Sequence, residues 1–177
     1  DPDDDRLQVA AVGGQANAVG QSVAGSNGGL FVIERDGSYR FDTNGAFNDL
    51  AAGATRTTQV AYQVRDADGA SDIAFLTVTV TGANDAPVIN GDGLMMRQDA
   101  DGAEVSLDTG AAFVDPDRGD TLTYRVDNLP PGLMFDTATG QITGRLDNDA
   151  SANAPYQVTV TATDDNGGSL SQSFVWQ

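Results

Sequence analysis

Three short acidic stretches carry the residue types that could do chemistry: Asn84-Asp85-Ala86, Asp115-Pro116-Asp117 and Asp164-Asp165-Asn166. Carboxylates and amides packed this closely in turn-forming sequence offer many oxygen ligands, the donor set of a hard cation. Calcium takes six to eight such oxygens at about 2.3–2.6 Å, whereas magnesium demands a tighter octahedron and keeps its water. Several carboxylates held within about 5 Å repel by roughly 1 kcal/mol per pair even in water-like dielectric, and a bound cation reverses that sign. The plainer reading is a set of solvated turns whose aspartates cap their own backbone, and Asp165 is read that way. The chain has no histidine and no cysteine, so the usual general base, the usual zinc ligand and thiolate metal sites are absent.

The elements that must position these groups are strands. Residues 74–81 (AFLTVTVT) alternate Leu76, Val78 and Val80 against threonines, the period of a half-buried strand ending a domain. Pro87 then stiffens the connector 82–87. The first strand is expected over residues 7–12, followed by a long connection over 13–29 with a weak strand near 19–24. A hairpin follows, turning at Arg35-Asp36-Gly37, with Tyr39 and Phe41 inward. A loop over 43–58 precedes Val60, Tyr62 and Val64 on one face. In the second half, strands are expected over 104–107, 122–126, 134–136, 141–146 and 156–163, with Phe174 and Trp176 closing the last one inward. Turn signals between short strands and no helical period predict an all-β chain: two tandem immunoglobulin-like or cadherin-like antiparallel β-sandwiches.

Internal echoes divide the chain. DPDDDRLQV (1–9) matches DPDRGDTLTYRV (115–126), and YQVRDADGASDIAFLTV (62–78) matches YQVTVTATDDNGGSLSQSFV (156–175). The expected domains are 1–83 and 88–177, joined by the linker 84–87. About 30 residues separate NDAP from DPD in the second copy, whereas the first begins at DPD itself. The first domain is therefore expected to lack its first two strands, leaving apolar surface uncovered. In a sandwich entered from the top, the loops 115–120 and 164–168 lie beside the entering linker. Asp115, Asp117, Asp164, the Asn84 side chain and a backbone carbonyl near Ala86 would then supply one calcium site. Asp85, Asp117 and Asp49 could share a second ion. Asp66 with Asp1 and Asp3 would form the corresponding site of the first domain, and Asp147 and Asp149 would serve a following one.

Charge bounds the partners. Twenty-six acidic residues against nine arginines give a formal charge of −17, which disfavours nucleic acid and anionic membrane. Hydrophobic content of 40% suffices for sandwich cores, so disorder is not expected. No long apolar run suggests membrane insertion, and the start at Asp1 reads as a fragment of something longer. Arg118-Gly119-Asp120 spells a tripeptide read by some integrins, but glycine and aspartate are what this loop needs anyway.

The order of these pieces resembles a known group. GLFVIERDGSYRFDTNGAFNDLAAG, AYQVRDADGAS and VTVTGANDAPV over 29–88 are similar to VCBS repeats. FVDPDRGDTLTYRV, LPPGLMFDTATGQITG and YQVTVTATDDNGGS over 85–177 resemble the dystroglycan-type cadherin-like module. Both occur in tandem in large calcium-dependent, RTX-type bacterial surface adhesins. In that pattern the D-x-D pair matches Asp115 and Asp117, the final-loop aspartate matches Asp164, and the linker asparagine matches Asn84. The resemblance implies a calcium-rigidified extender or adhesion module at the bacterial cell surface, monomeric and partnered by neighbouring repeats of its polypeptide. A calcium-dependent carbohydrate-binding module for surface glycans is the alternative, and an enzyme is disfavoured because the acids lie in turns at domain ends.

Overall fold

The structure is a computed structural model that describes residues 6–177; Asp1 and Asp3 lie outside the described residues. It is all-β, with 45% of residues in strands and no α-helix among the described residues. The chain divides into two compact units, Asp1–Ala83 and Asn84–Gln177.

The first unit contains β1 (Gln8–Val12), β2 (Ser22–Ala24), β3 (Leu30–Ile33), β4 (Tyr39–Asp42), β5 (Thr55–Arg65) and β6 (Ser71–Thr81). They form two antiparallel three-stranded sheets, β1-β5-β6 and β2-β3-β4. Val9, Val12, Phe31, Ile33 and Val60 make the buried core between them, with Phe41, Tyr62, Leu76 and Val78 packed against it. The β3–β4 turn has Gly37 at φ +89°, a region that favours glycine, while Asp36 accepts hydrogen bonds from the Ser38 amide and hydroxyl.

Three local expectations need correction. The loop expected over 43–58 ends earlier, because β5 begins at Thr55. Thr58 is fully buried there: its hydroxyl donates to Gly28 O at 2.9 Å and accepts from the Asn27 amide at 3.2 Å. Partners thirty residues away make that polar segment a strand, and no local pattern reveals them. Likewise β6 begins at Ser71, since its register with β5 runs unbroken from Arg65↔Ser71 to Thr55↔Thr81. Tyr39 is not inward and covered: it is paired opposite the buried Ile33 yet is 56% exposed, because β4 is the last strand of its sheet.

The second unit contains β7 (Val88–Ile89), β8 (Glu104–Asp108), β9 (Phe113–Val114), β10 (Thr123–Asp127), β11 (Leu133–Phe135), β12 (Gln141–Arg145), β13 (Tyr156–Thr163) and β14 (Ser169–Trp176). Its sheets are β10-β13-β14, β11-β12-β8 and the pair β7-β9. Val158, Val160, Ala162, Phe174 and Trp176 line one side of the core, facing Val105 and Ile142 from the other sheet. The Arg97 guanidinium lies 5.2 Å from the Trp176 ring centroid. The sheet β10-β13-β14 repeats β1-β5-β6, and the hairpin β11-β12 repeats β3-β4. Among the described residues the first unit has no strand in the place that β8 takes beside β12.

Candidate metal centre

The second unit brings Asn84, Asp85, Asp115, Asp117 and Asp164 into one hydrogen-bonded cluster. Asn84 and Asp85 precede β7, the loop of Asp115 and Asp117 joins β9 to β10, and Asp164 follows β13. The Asn84 side-chain amide donates to Asp164 Oδ2 at 2.9 Å. The Asp85 backbone amide donates to Asp117 Oδ2 at 2.8 Å, and the Asp117 amide donates to Asp115 Oδ1 at 2.8 Å. Asp164 Oδ1 accepts from the amides of Asn166 and Gly168, both at 2.8 Å.

Each of three residues is thus held through one side-chain atom, and a side-chain oxygen of each is left over. Asn84 Oδ1, Asp115 Oδ2 and Asp117 Oδ1 are buried with no hydrogen-bond partner, and Asp117 as a residue is only 2% exposed. Burying an anionic oxygen without a partner is costly, and native structures avoid it unless something else satisfies the atom. Capping within a turn engages Asp115 Oδ1 and Asp164 Oδ1, and it leaves Asp115 Oδ2 over.

Asp120 belongs to the cluster as well. One oxygen from each of Asp115, Asp117 and Asp120 lies within 4.8 Å of the others. Oxygens on opposite sides of one calcium ion would be about 5 Å apart at usual bond lengths, so the spread fits a shared ion. Asp120 closes the Arg118-Gly119-Asp120 tripeptide, and the D-x-D-x-x-D spacing of Asp115, Asp117 and Asp120 is the sequence signal that marks it. Asn166 Nδ2 donates to Asp120 Oδ2 at 3.0 Å, and Asp165 accepts from the Thr121 amide and hydroxyl, tying the two loops together.

Electrostatics match this geometry. Burial raises the Asp115 carboxyl above its ordinary value, and the charges of Asp164, Asp117 and Asp120 push the same way against the Asp117 amide bond. Asp164 is shifted the other way, lowered first by the Asn84 bond and then by the backbone amides of Asn166, Gly168 and Gly167, against its burial. Close packing leaves no room at Gly168, where a Cβ would lie 2.4 Å from Asp164 Oδ2 and 3.1 Å from the Ala86 Cα.

In the first unit Asp49 forms an ion pair with Arg56 at 2.7 Å, and Asp66 accepts from the Ala70 amide at 2.8 Å. In the second, Asp147 and Asp149 bracket the turn that enters the 3-10 segment Ala150–Asn153. None of these joins an acidic cluster of the kind formed by Asp115, Asp117 and Asp120 among the described residues.

Comparison with known proteins bears on fold and family. A family model described as "Bacterial Ig domain" matches residues 1–79, and one described as "Putative Ig domain" matches 96–177. No curated protein matches the sequence. Repeats EC21-23 of human CDH23 superpose with a TM-score of 0.60 at 19% identity, covering 97% of this chain and 57% of that one. Mouse cadherin-23 EC22-24 gives 0.58 at 13% identity, covering 97% and 53%. A Bacteroides fragilis alpha-galactosidase/melibiase structure gives 0.40 at 21% identity, with 51% of this chain spanning 17% of that one, too slight to carry an argument. Bacterial Ig domains usually stand outside the cell or on its surface. Among the described residues no helix is long and apolar enough to cross a membrane. The chain is similar to bacterial Ig domains in its first half and to Ig domains in its second, and its fold is that of cadherin repeats.

Proposed function

We propose that the chain is a calcium-stiffened extender or adhesion module of a large bacterial surface protein, of the VCBS and RTX-adhesin type. The observation that carries this reading is the set of three buried, unpartnered oxygens on Asn84, Asp115 and Asp117, each aimed by a hydrogen bond through the residue's other side-chain atom. Those three oxygens, with a carboxylate oxygen of Asp120, would hold the ion, and Asp164 orients Asn84 from behind. Calcium would supply the positive charge that converts repulsion among these acids into cohesion. Because Asn84 and Asp85 directly follow the chain leaving β6, binding there would stiffen residues 82–87. The partners are neighbouring repeats of the same polypeptide, and the setting is extracellular.

Melting and small-angle scattering in millimolar calcium and in chelator test the reading. Calcium should raise the melting temperature of the wild-type chain, as any ligand of the folded state does, and make it more extended. Asp115→Asn with Asp117→Asn should abolish both responses; equal behaviour with and without calcium in the wild type would sink it. Calcium-dependent sugar binding is the second reading, favoured by the exposure of Tyr39 and Phe75 at 56% and 62%. A glycan array with no calcium-dependent hits removes it.

A further inference from the structure

Equivalent positions in the two units differ in what covers them. In the second unit the β11–β12 turn closes with the Asp136 amide donating to Gln141 O, and the first ladder pair is Phe135↔Ile142. In the first unit the Glu34 amide donates to Ser38 O, and the first pair is Ile33↔Tyr39. Ile142 and Tyr39 therefore hold the same place, yet Ile142 is 0% exposed and Tyr39 is 56% exposed. The cause is one strand. Ile142 is paired on its far side with Leu107 of β8, whereas among the described residues the far side of β4 has no neighbour. The opposite sheet shows the same gap: Phe174 and Trp176 on β14 are buried, while Leu76, Val78 and Val80 on β6 are only half-buried. A cleft of about 290 Å³ remains, lined by Leu7, Val9, Ile33, Tyr39, Tyr62 and Leu76.

We propose that the free edge of β4 binds a polypeptide strand, antiparallel, as β12 binds β8, with an apolar side chain seated in this cleft. An exposed edge offers unpaired backbone donors and acceptors, and pockets for alternate side chains set specificity. The occupant has two apolar residues flanking an acidic one. The apolar pair follows from Val105 and Leu107, which β8 turns toward the core of the second unit. The acidic residue follows from Arg40, which lies between Tyr39 and Phe41 on β4, is exposed, and has no ion-pair partner among the described residues. A second copy of the chain fits poorly, because edge-to-edge pairing would join two molecules of charge −17 across a four-residue strand.

The test uses the full chain and two fluorescein-labelled heptapeptides: residues 103–109 with Ser106→Glu, and the same peptide with Ser106→Lys. Fluorescence anisotropy should show saturable binding of the Glu peptide and hydrogen-exchange protection confined to β4 in the first unit. Arg40→Glu, at an exposed site that leaves the core intact, should weaken the Glu peptide by about tenfold and favour the Lys peptide. Failure of both peptides to bind at millimolar concentration, or binding indifferent to Arg40→Glu, overturns the proposal. So does a sedimenting dimer that Arg40→Glu dissolves, which would assign the edge to a second copy.

Discussion

Asn84 donates its side-chain amide to Asp164 Oδ2 across eighty positions of sequence, and the same bond leaves Asn84 Oδ1 buried without a partner. One residue thus serves as both a positioning donor and a candidate ligand. Asn84→Ala should weaken calcium binding by about 10- to 100-fold in titration calorimetry, the usual range for loss of a group that holds a metal site. Asn84→Asp keeps Oδ1 but sets a like charge against Asp164. It should lower the melting temperature in chelator and recover in calcium; no recovery would remove Asn84 Oδ1 from the ligand set.

The metal-free second unit should respond to acid in two opposite ways. Asp115 is raised by burial and neighbouring acids, so its charged form destabilises the fold above its folded value, and the penalty is relieved as pH falls through that value. Asp164 is lowered, chiefly by Asn84, so it contributes stability above its unfolded value that is lost as pH falls through its folded one. In chelator, Asp115→Asn should therefore raise the neutral-pH melting temperature and Asp164→Asn should lower it. Melting curves of the two variants across the acid range check the signs.

Gly168→Ala probes the closeness of the packing. The added Cβ would fall 2.4 Å from Asp164 Oδ2 and 2.9 Å from Asn84 Nδ2, so the carboxylate and the amide must part. Overpacking of this kind costs about 1–3 kcal/mol, and urea denaturation of the second unit should show it. Calcium affinity should fall with it. An unchanged affinity would mean that the Asn84–Asp164 bond is not needed to shape the site.

Ile142 and Tyr39 stand at the same turn of the two units, and truncation should separate them. Ile142→Ala removes a side chain with no exposure and should cost about 2–5 kcal/mol. Tyr39→Ala removes one that is more than half exposed and should cost well under that. Equal losses in denaturant titrations would show that β4 is covered in solution.

The all-β class, the inward faces of β13 and β14, and the β3–β4 and β11–β12 hairpins were legible in the sequence. Each depends on local information: a period of two, a turn glycine, a proline. The acidic clusters were equally plain, because residue type alone marks a hard-cation donor. Tertiary structure decided what local pattern cannot encode. Which side-chain atoms of Asp117 and Asn84 are engaged, and which of their oxygens are left buried, depends on Asp85 and Asp164, 32 and 80 positions away. Thr58 became part of β5 through Asn27 and Gly28, thirty residues distant. Tyr39 had the inward phase of its strand, but covering it requires a neighbouring strand, and a residue's own alternation says nothing about whether that neighbour is there.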